Sequence, residues 1–271
     1  MALGLQDGFE AGAHERREEL NMRRILDFEV GADQAALWFL GQAGYIMKSC
    51  GTIVAIDPYL SDSAGKVYPQ LSRALPIPIK PDELEVDTYI VTHDHLDHLD
   101  PETIEGYRHK HQTVFVATRL ACKKLLSLGI SRDNISRIDS GETGTIRGVK
   151  ITGIYTVPNA PEVIDTAGYV LEFENSRSVY HSSDTAFSPL LLEAVSPAEV
   201  ALVCINGKWG NLSPQEAAKL ADKVGTKAAI PNHYDIMALN SENPKTFEYE
   251  MHRQNPDIPV KILSIMEPFV W

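Results

Sequence analysis

Apolar residues in this chain fall in short runs broken by polar and turn-forming residues, a pattern of alternating strands and helices with no long helix. Across residues 36–56, two apolar runs flank Lys48-Ser49-Cys50-Gly51-Thr52, which predicts a hairpin. Thr88-Tyr89-Ile90-Val91 and Thr113-Val114-Phe115-Val116 predict strands. Helices are expected over 101–110 and 118–128, the second stopped by Gly129. Short strands with turns at Gly141, Gly144 and Gly148 lead to Val157; others are expected over 168–173 and 179–181, then a helix from about Pro189. Strand 201–205, helix 214–224 and strand 228–230 make a β-α-β unit, its helix opened by Ser213-Pro214-Gln215-Glu216 with serine as cap and proline first. Pro69, Pro76, Pro78 and Pro81 predict a long irregular loop over 59–82. Residues 14–24 are densely charged, with Leu20, Ile25, Leu26 and Phe28 as apolar points, and predict a surface helix. The chain therefore divides into an N-terminal helical extension, 1–34, and a main domain, 35–271.

The densest chemistry follows the strand ending at Val91. Thr92-His93-Asp94-His95-Leu96-Asp97-His98 packs imidazoles and carboxylates into one turn, and Asp100-Pro101-Glu102 then starts a helix with aspartate as cap. In an extended segment His93 and His95 point the same way and can share one ion. Mixed imidazole and carboxylate donors suit zinc, manganese, iron or nickel better than magnesium or calcium. A strand-to-helix turn is also where open α/β sheets usually bind ligands.

This window is an HxHxDH signature, and here the chain resembles the metallo-β-lactamase superfamily. Leu40-Gly41-Gln42-Ala43-Gly44, Ile53-Val54-Ala55-Ile56-Asp57-Pro58, Tyr180-His181-Ser182-Ser183-Asp184-Thr185 and Ile230-Pro231-Asn232-His233-Tyr234 extend the likeness over most of its length. The first of these, the metal window continuing through Leu99-Asp100, and Asn206-Gly207 ahead of Asn211-Leu212-Ser213 are similar to the L-ascorbate-6-phosphate lactonase-like branch. The resemblance implies an α/β fold, a four-layer αββα sandwich. It also implies one metal position on His93, His95 and a third histidine, and another on Asp97, His98 and His233, with Asp184 bridging. The third histidine is missing: Asn159 is the nearest candidate in Thr156-Val157-Pro158-Asn159, and an amide oxygen is a weak, neutral ligand. One tight divalent ion, zinc or manganese, is expected, with a second weak or absent. Asn159 equally suits a turn cap. Asp57 is expected to brace the histidine loop by hydrogen bonds. His181 either orients a ligand or packs under the sheet.

Charge and cysteine usage narrow the partners. With 271 residues and 44% hydrophobic composition the chain can bury a large core, but its longest apolar stretches are far too short to span a membrane. A formal charge of −12 argues against nucleic acid. Cys50, Cys122 and Cys204 form neither a metal motif nor a complete disulfide framework, and the first residues show no secretory signal, so a cytoplasmic protein is expected. Self-association into a homo-oligomer is left open. No G-x-S-x-G elbow appears, so hydrolysis by metal-bound hydroxide is expected over a covalent intermediate, with Asp97 or Asp184 orienting water or carrying its proton. A small lactone, with or without a phosphate, is the expected substrate. Lys208 and Arg73 are the candidate phosphate-binding cations, although for each a solvated surface charge is the reading the sequence favours. The alternatives are a metal-dependent phosphodiesterase and a metal-binding module without turnover.

Overall fold

The computed structural model describes residues 21–160 and 163–271. Two sheets lie face to face with helices outside both. The first strands are β1 (Ala36–Gly41), β2 (Gly44–Ser49), β3 (Thr52–Ile56), β4 (Thr88–Val91), β5 (Val114–Ala117) and β6 (Ile135–Arg137). Then come β7 (Thr143–Ile146), β8 (Val149–Ile154), β9 (Gly168–Glu172), β10 (Ser178–His181), β11 (Val200–Cys204), β12 (Ala228–Asn232) and β13 (Pro268–Val270). One sheet runs β13-β1-β2-β3-β4-β5-β6 and the other β12-β11-β10-β9-β8-β7.

Side-chain alternation explains why β1 is buried along its whole length. Leu37 and Phe39 enter the core between the sheets, with Tyr45, Val54, Ile90, Tyr169, Leu171 and Leu202. Ala36, Trp38 and Leu40 face the opposite way, into a second core with Tyr89, Val91, Phe115, Ile104 and Leu125. The last two of these belong to α3 (Pro101–Gly106) and α4 (Arg119–Ser127), which with α1 (Arg23–Leu26) cover the first sheet, whereas α2 (Ser63–Val67) packs through Ala64 with Tyr59, Ile236 and Met237. The second sheet is covered by α5 (Pro189–Ala194), α6 (Pro214–Val224) and α7 (Pro244–Gln254), through Leu191, Leu220, Phe247 and Met251. The layers are therefore helix, sheet, sheet, helix. No helix among the described residues is long and apolar enough to cross a membrane.

Strand direction sets the site. β3, β4, β5 and β6 are parallel neighbours, as are β10, β11 and β12. The carboxyl ends of β3, β4, β10 and β12 are followed directly by Asp57, the histidine window, the Ser182–Asp184 segment and His233. Asp100 caps α3 by accepting from the Glu102 amide, and Ser213 with Glu216 forms a reciprocal capping box on α6.

Several elements differ from the sequence expectation. The first apolar run of 36–56 holds two strands, because Gly41 and Gln42 turn the chain at φ 98° and 55°. A Cβ at Gly41 would lie 2.3 Å from Ile236 Cδ1, so glycine also permits the close approach of the later loop. The helix expected over 101–110 ends at Gly106, where Tyr107 is already extended. Residues 59–82 contain α2 and a 3-10 turn, Pro69–Leu71, rather than only irregular chain. Most of the expected 14–24 helix lies outside the described residues; α1 follows it, with Ile25 buried.

Candidate metal centre

His93, His98 and His233 are each held at the strand ends by Nδ1. Asp57, fully buried, accepts from Thr92 N at 2.9 Å and Thr92 Oγ1 at 2.7 Å, and its Oδ2 lies 2.7 Å from His98 Nδ1. That contact calls for a proton on His98 Nδ1 and turns Nε2 inward. The one Thr92 hydroxyl proton points to Asp57, so the 3.0 Å contact of Thr92 Oγ1 with His93 Nδ1 makes His93 Nδ1 the donor. His93 Nε2 is then an unprotonated acceptor, buried without a hydrogen-bond partner. Gln42 serves the other side: its Nε2 lies 2.9 Å from Asp97 Oδ2 and 3.0 Å from His233 Nδ1. The His233 amide also donates to the Gln42 carbonyl at 2.7 Å, binding the β1–β2 turn to the end of β12.

The inner atoms converge. His98 Nε2 and His233 Nε2 stand 3.3 Å apart. Asp184 Oδ1 lies 2.9 Å from His233 Nε2 and 3.4 Å from His98 Nε2, close enough for charge attraction. It is nevertheless buried with no donor in hydrogen-bond geometry. Two sets of potential ligand atoms result: His93, His98 and Asp184, and Asp97, His98 and His233, the atoms of each set lying within 4.8 Å of one another. Buried His93 Nε2 and Asp184 Oδ1, neither of them hydrogen-bonded, beside facing imidazole nitrogens are what a cation would satisfy, so these residues fit a divalent ion held by nitrogen and oxygen.

The electrostatics prepare Asp184, Asp97 and His93 to ligate but keep a proton on His98. Burial pushes the Asp184 carboxyl up, but His233 and His98 outweigh it and hold the group well below the usual carboxylate range. Asp97 is likewise lowered, by His98 and His233 against its burial. Burial, with His98 nearby, holds His93 well below the ordinary imidazole value, so it is neutral and ready to ligate. Burial opposes charge on His98 too, yet Asp184, Asp57 and Asp97 surround it and raise it well above that value.

Metal uptake should therefore release about one proton near neutral pH, because His98 must lose its inner proton to ligate. Affinity should weaken as pH falls. In the metal-free protein the sign is reversed: charged His98 stabilises the fold below the unfolded value of 6.5, and that contribution fades as pH rises through the raised folded value. Calorimetric titration in buffers of different ionisation enthalpy measures the released proton, and uptake without proton release would contradict the assignment.

The structure does not bring together every residue of the sequence expectation. His95 is half-buried and its ring centroid lies 4.7 Å from that of His93, but it belongs to neither ligand set. His98 instead belongs to both. Asn159 Nδ2 reaches Asp184 Oδ2 at 3.4 Å and Asn211 Oδ1 at 2.7 Å, leaving its own Oδ1 buried and unpaired. Gly210 lets this segment approach, since a Cβ there would lie 2.4 Å from the Asn159 carbonyl oxygen. His181 uses both ring nitrogens on backbone, Ala43 O at 2.8 Å and Ser183 N at 3.0 Å, and is a strut beneath the site. Arg73 is committed elsewhere: its guanidinium donates to the carbonyls of Tyr59, Leu75 and Pro76 and lies over the Tyr59 ring. Lys208 is exposed in the turn Gly207–Trp209. Neither cation lines the cavity over the site. Thr92 and Gln42 escaped the sequence reading as functional groups, although both sit inside its quoted motifs.

The cavity has a volume of about 540 Å³ and opens onto His95, Asp97 and Asp184. No serine or cysteine lines it among the described residues. Cys204 is buried, and burial pushes its thiol up to about 11, so it is no ready nucleophile.

Comparison with known proteins followed the same lines. The family model for the β-lactamase superfamily domain matches residues 52–234. A UPF0173 metal-dependent hydrolase of Rubrobacter xylanophilus is 30% identical, the match covering 85% of this chain and 93% of the relative. Another, of Methanopyrus kandleri, is 29% identical over 85% of this chain and 97% of its own. Among solved structures, the metallo hydrolase Igni18 of Ignicoccus hospitalis superposes with a TM-score of 0.69 at 17% identity, covering 88% of this chain and 98% of that one. That likeness concerns the fold.

Proposed function

The chain belongs to the UPF0173 metal-dependent hydrolase family of the metallo-β-lactamase superfamily, and we propose that its site hydrolyses a small lactone or related carboxylic ester with one tightly held divalent ion, zinc or manganese. The observation that carries this reading is the convergence of His98 Nε2 and His233 Nε2, 3.3 Å apart, with the unpaired His93 Nε2 and Asp184 Oδ1 below an open cavity. A divalent ion bound by such groups polarises a carbonyl oxygen and makes water a nucleophile near neutral pH.

The chain's own residues have separable roles. Asp57 and Thr92 fix the tautomers and angles of His98 and His93. Gln42 holds Asp97 and His233 at once, so neither swings into the cavity. Asp184, kept ionised by its histidine neighbours, is placed to orient the attacking water by accepting a hydrogen bond from it. The absence of serine and cysteine from the described cavity lining favours direct attack by water over a serine or cysteine acyl-enzyme. Resemblance of the Leu40–Gly44 and Asn206–Ser213 motifs to the L-ascorbate-6-phosphate lactonase-like branch supports ester chemistry.

The test is hydrolysis of a panel of lactones and phosphodiesters by the metal-loaded protein, with a chelated sample beside it. Lactone opening that disappears on chelation and returns with zinc or manganese is expected. Phosphodiester cleavage without lactone opening would transfer the site to a phosphodiesterase. Full metal loading with no turnover of either class would make the chain a metal-binding module.

A further inference from the structure

The cavity wall is short of positive charge. Among the described residues no lysine or arginine lines it, whereas Asp94 adds a carboxylate to those of Asp97 and Asp184. Cations on the adjoining segments are committed or turned away. Lys66 is paired with Glu102 at 2.7 Å, Arg73 is tied to backbone carbonyls, and Lys208 is exposed beyond the wall. A phosphate or carboxylate on the substrate would need charge-assisted hydrogen bonds to replace its water, and the described wall has no lysine or arginine to make them. The whole-chain charge of −12 adds repulsion at longer range.

What the wall does offer is apolar surface and amides. Val67, Tyr68 and Trp209 are 58%, 52% and 43% exposed, and Leu71, Leu96 and Met237 continue the surface inward. Trp209 is anchored through Nε1 to the Leu239 carbonyl at 3.2 Å. Beside Asp184 starts a chain of asparagines: Asn159 donates to Asn211 at 2.7 Å, Asn211 to Asn206 at 2.9 Å, and Asn206 to Asn240 at 2.7 Å. Asn159, Asn206 and Asn240 line the cavity; the first two spend their amides within the chain, so half-buried Asn240 is the most accessible neutral polar contact. A wall of this kind selects polar atoms without net charge and rewards apolar length.

We propose that the substrate is uncharged: a lactone or ester carrying an apolar chain that lies along Val67, Tyr68, Leu71 and Trp209, its polar atoms met by the Asn240 amide, with phosphorylated and carboxylated analogues rejected. This rests on the hydrolase reading above for the reacting bond, but the choice of charge and chain follows from the wall alone.

Binding and turnover test it separately. A homologous series of alkyl γ-lactams, which resist hydrolysis, and an ω-phosphorylated member would be titrated calorimetrically into the metal-loaded full chain; the corresponding lactones would be assayed for turnover. Affinity should rise about fourfold per added methylene, the equivalent of about 0.8 kcal/mol. The phosphorylated lactam should bind at least about tenfold more weakly than its neutral partner of equal length, as expected for an unpaired anion. Trp209→Ala should flatten the chain-length dependence, and Asp94→Asn should narrow the neutral-to-phosphorylated ratio. Equal or tighter binding of the phosphorylated lactam, or no gain with chain length, would overturn the substrate class. Discriminating lactam binding without lactone turnover would uphold the substrate class and defeat the hydrolase reading.

Discussion

Asp184→Asn should lower kcat by at least about 100-fold while changing KM little. Even the hydrogen-bond partners of metal ligands are typically worth 10–100-fold, and here a ligand-forming carboxylate loses its charge. The replacement keeps shape and volume, so folding is spared. What disappears is the anion that lies 2.9 Å from His233 Nε2 and 3.4 Å from His98 Nε2 and that would help hold the ion and orient the attacking water. The contacts proposed for the substrate chain, with Val67, Tyr68, Leu71 and Trp209, do not involve Asp184, which leaves KM as the less affected constant. Steady-state kinetics at saturating metal measure both. A kcat within a few-fold of the parent would remove Asp184 from the chemistry.

Asp57→Ala should act through stability and metal affinity together. Asp57 is fully buried and receives Thr92 N, Thr92 Oγ1 and His98 Nδ1 at 2.7–2.9 Å. Removing it leaves His98 buried without its partner, and breaking a buried pair in this way costs about 3–5 kcal/mol. Metal affinity should fall about 10–100-fold, the usual effect of losing the carboxylate behind a ligating histidine. One of the carboxylates that raise His98 is also gone, so the proton released on metal uptake should diminish. Urea unfolding of the metal-free protein and calorimetric titration of the ion check the two effects. Stability within about 1 kcal/mol of the parent and unchanged affinity would contradict the bracing role.

The groups that make this site come from segments far apart in sequence, which decides how much of it the sequence reveals. The histidine window is visible because its donors crowd one turn after an apolar strand, and the starts of α3 and α6 are visible because Asp100-Pro101 and Ser213-Pro214 carry local capping chemistry. The turn between β1 and β2 is hidden, since Gly41-Gln42-Ala43-Gly44 interrupts an apolar run without a polar cluster. The helix α7 has a signal, Asn243-Pro244 as cap and first residue, that weak amphipathic patterning obscures. Partner choice is less legible still. His98 faces Asp57 across 41 residues and His233 across 135, while Gln42 reaches His233 across 191. No local pattern specifies that His98 joins both ligand sets while His95 stands outside them. The asparagine chain is scattered in the same way, each amide being an ordinary loop residue until β12 and the following loops bring them together.

The most direct test of a metal centre at the strand ends is elemental analysis of the purified full chain and of the His93→Ala/His98→Ala double variant, with circular dichroism recorded on both. The parent should carry at least one tightly bound divalent ion per chain, and the double variant should keep its fold but lose stoichiometric metal, because it lacks a nitrogen from the first set and the one shared by both. A folded double variant that retains the full metal content would contradict the assignment of these residues as the metal centre.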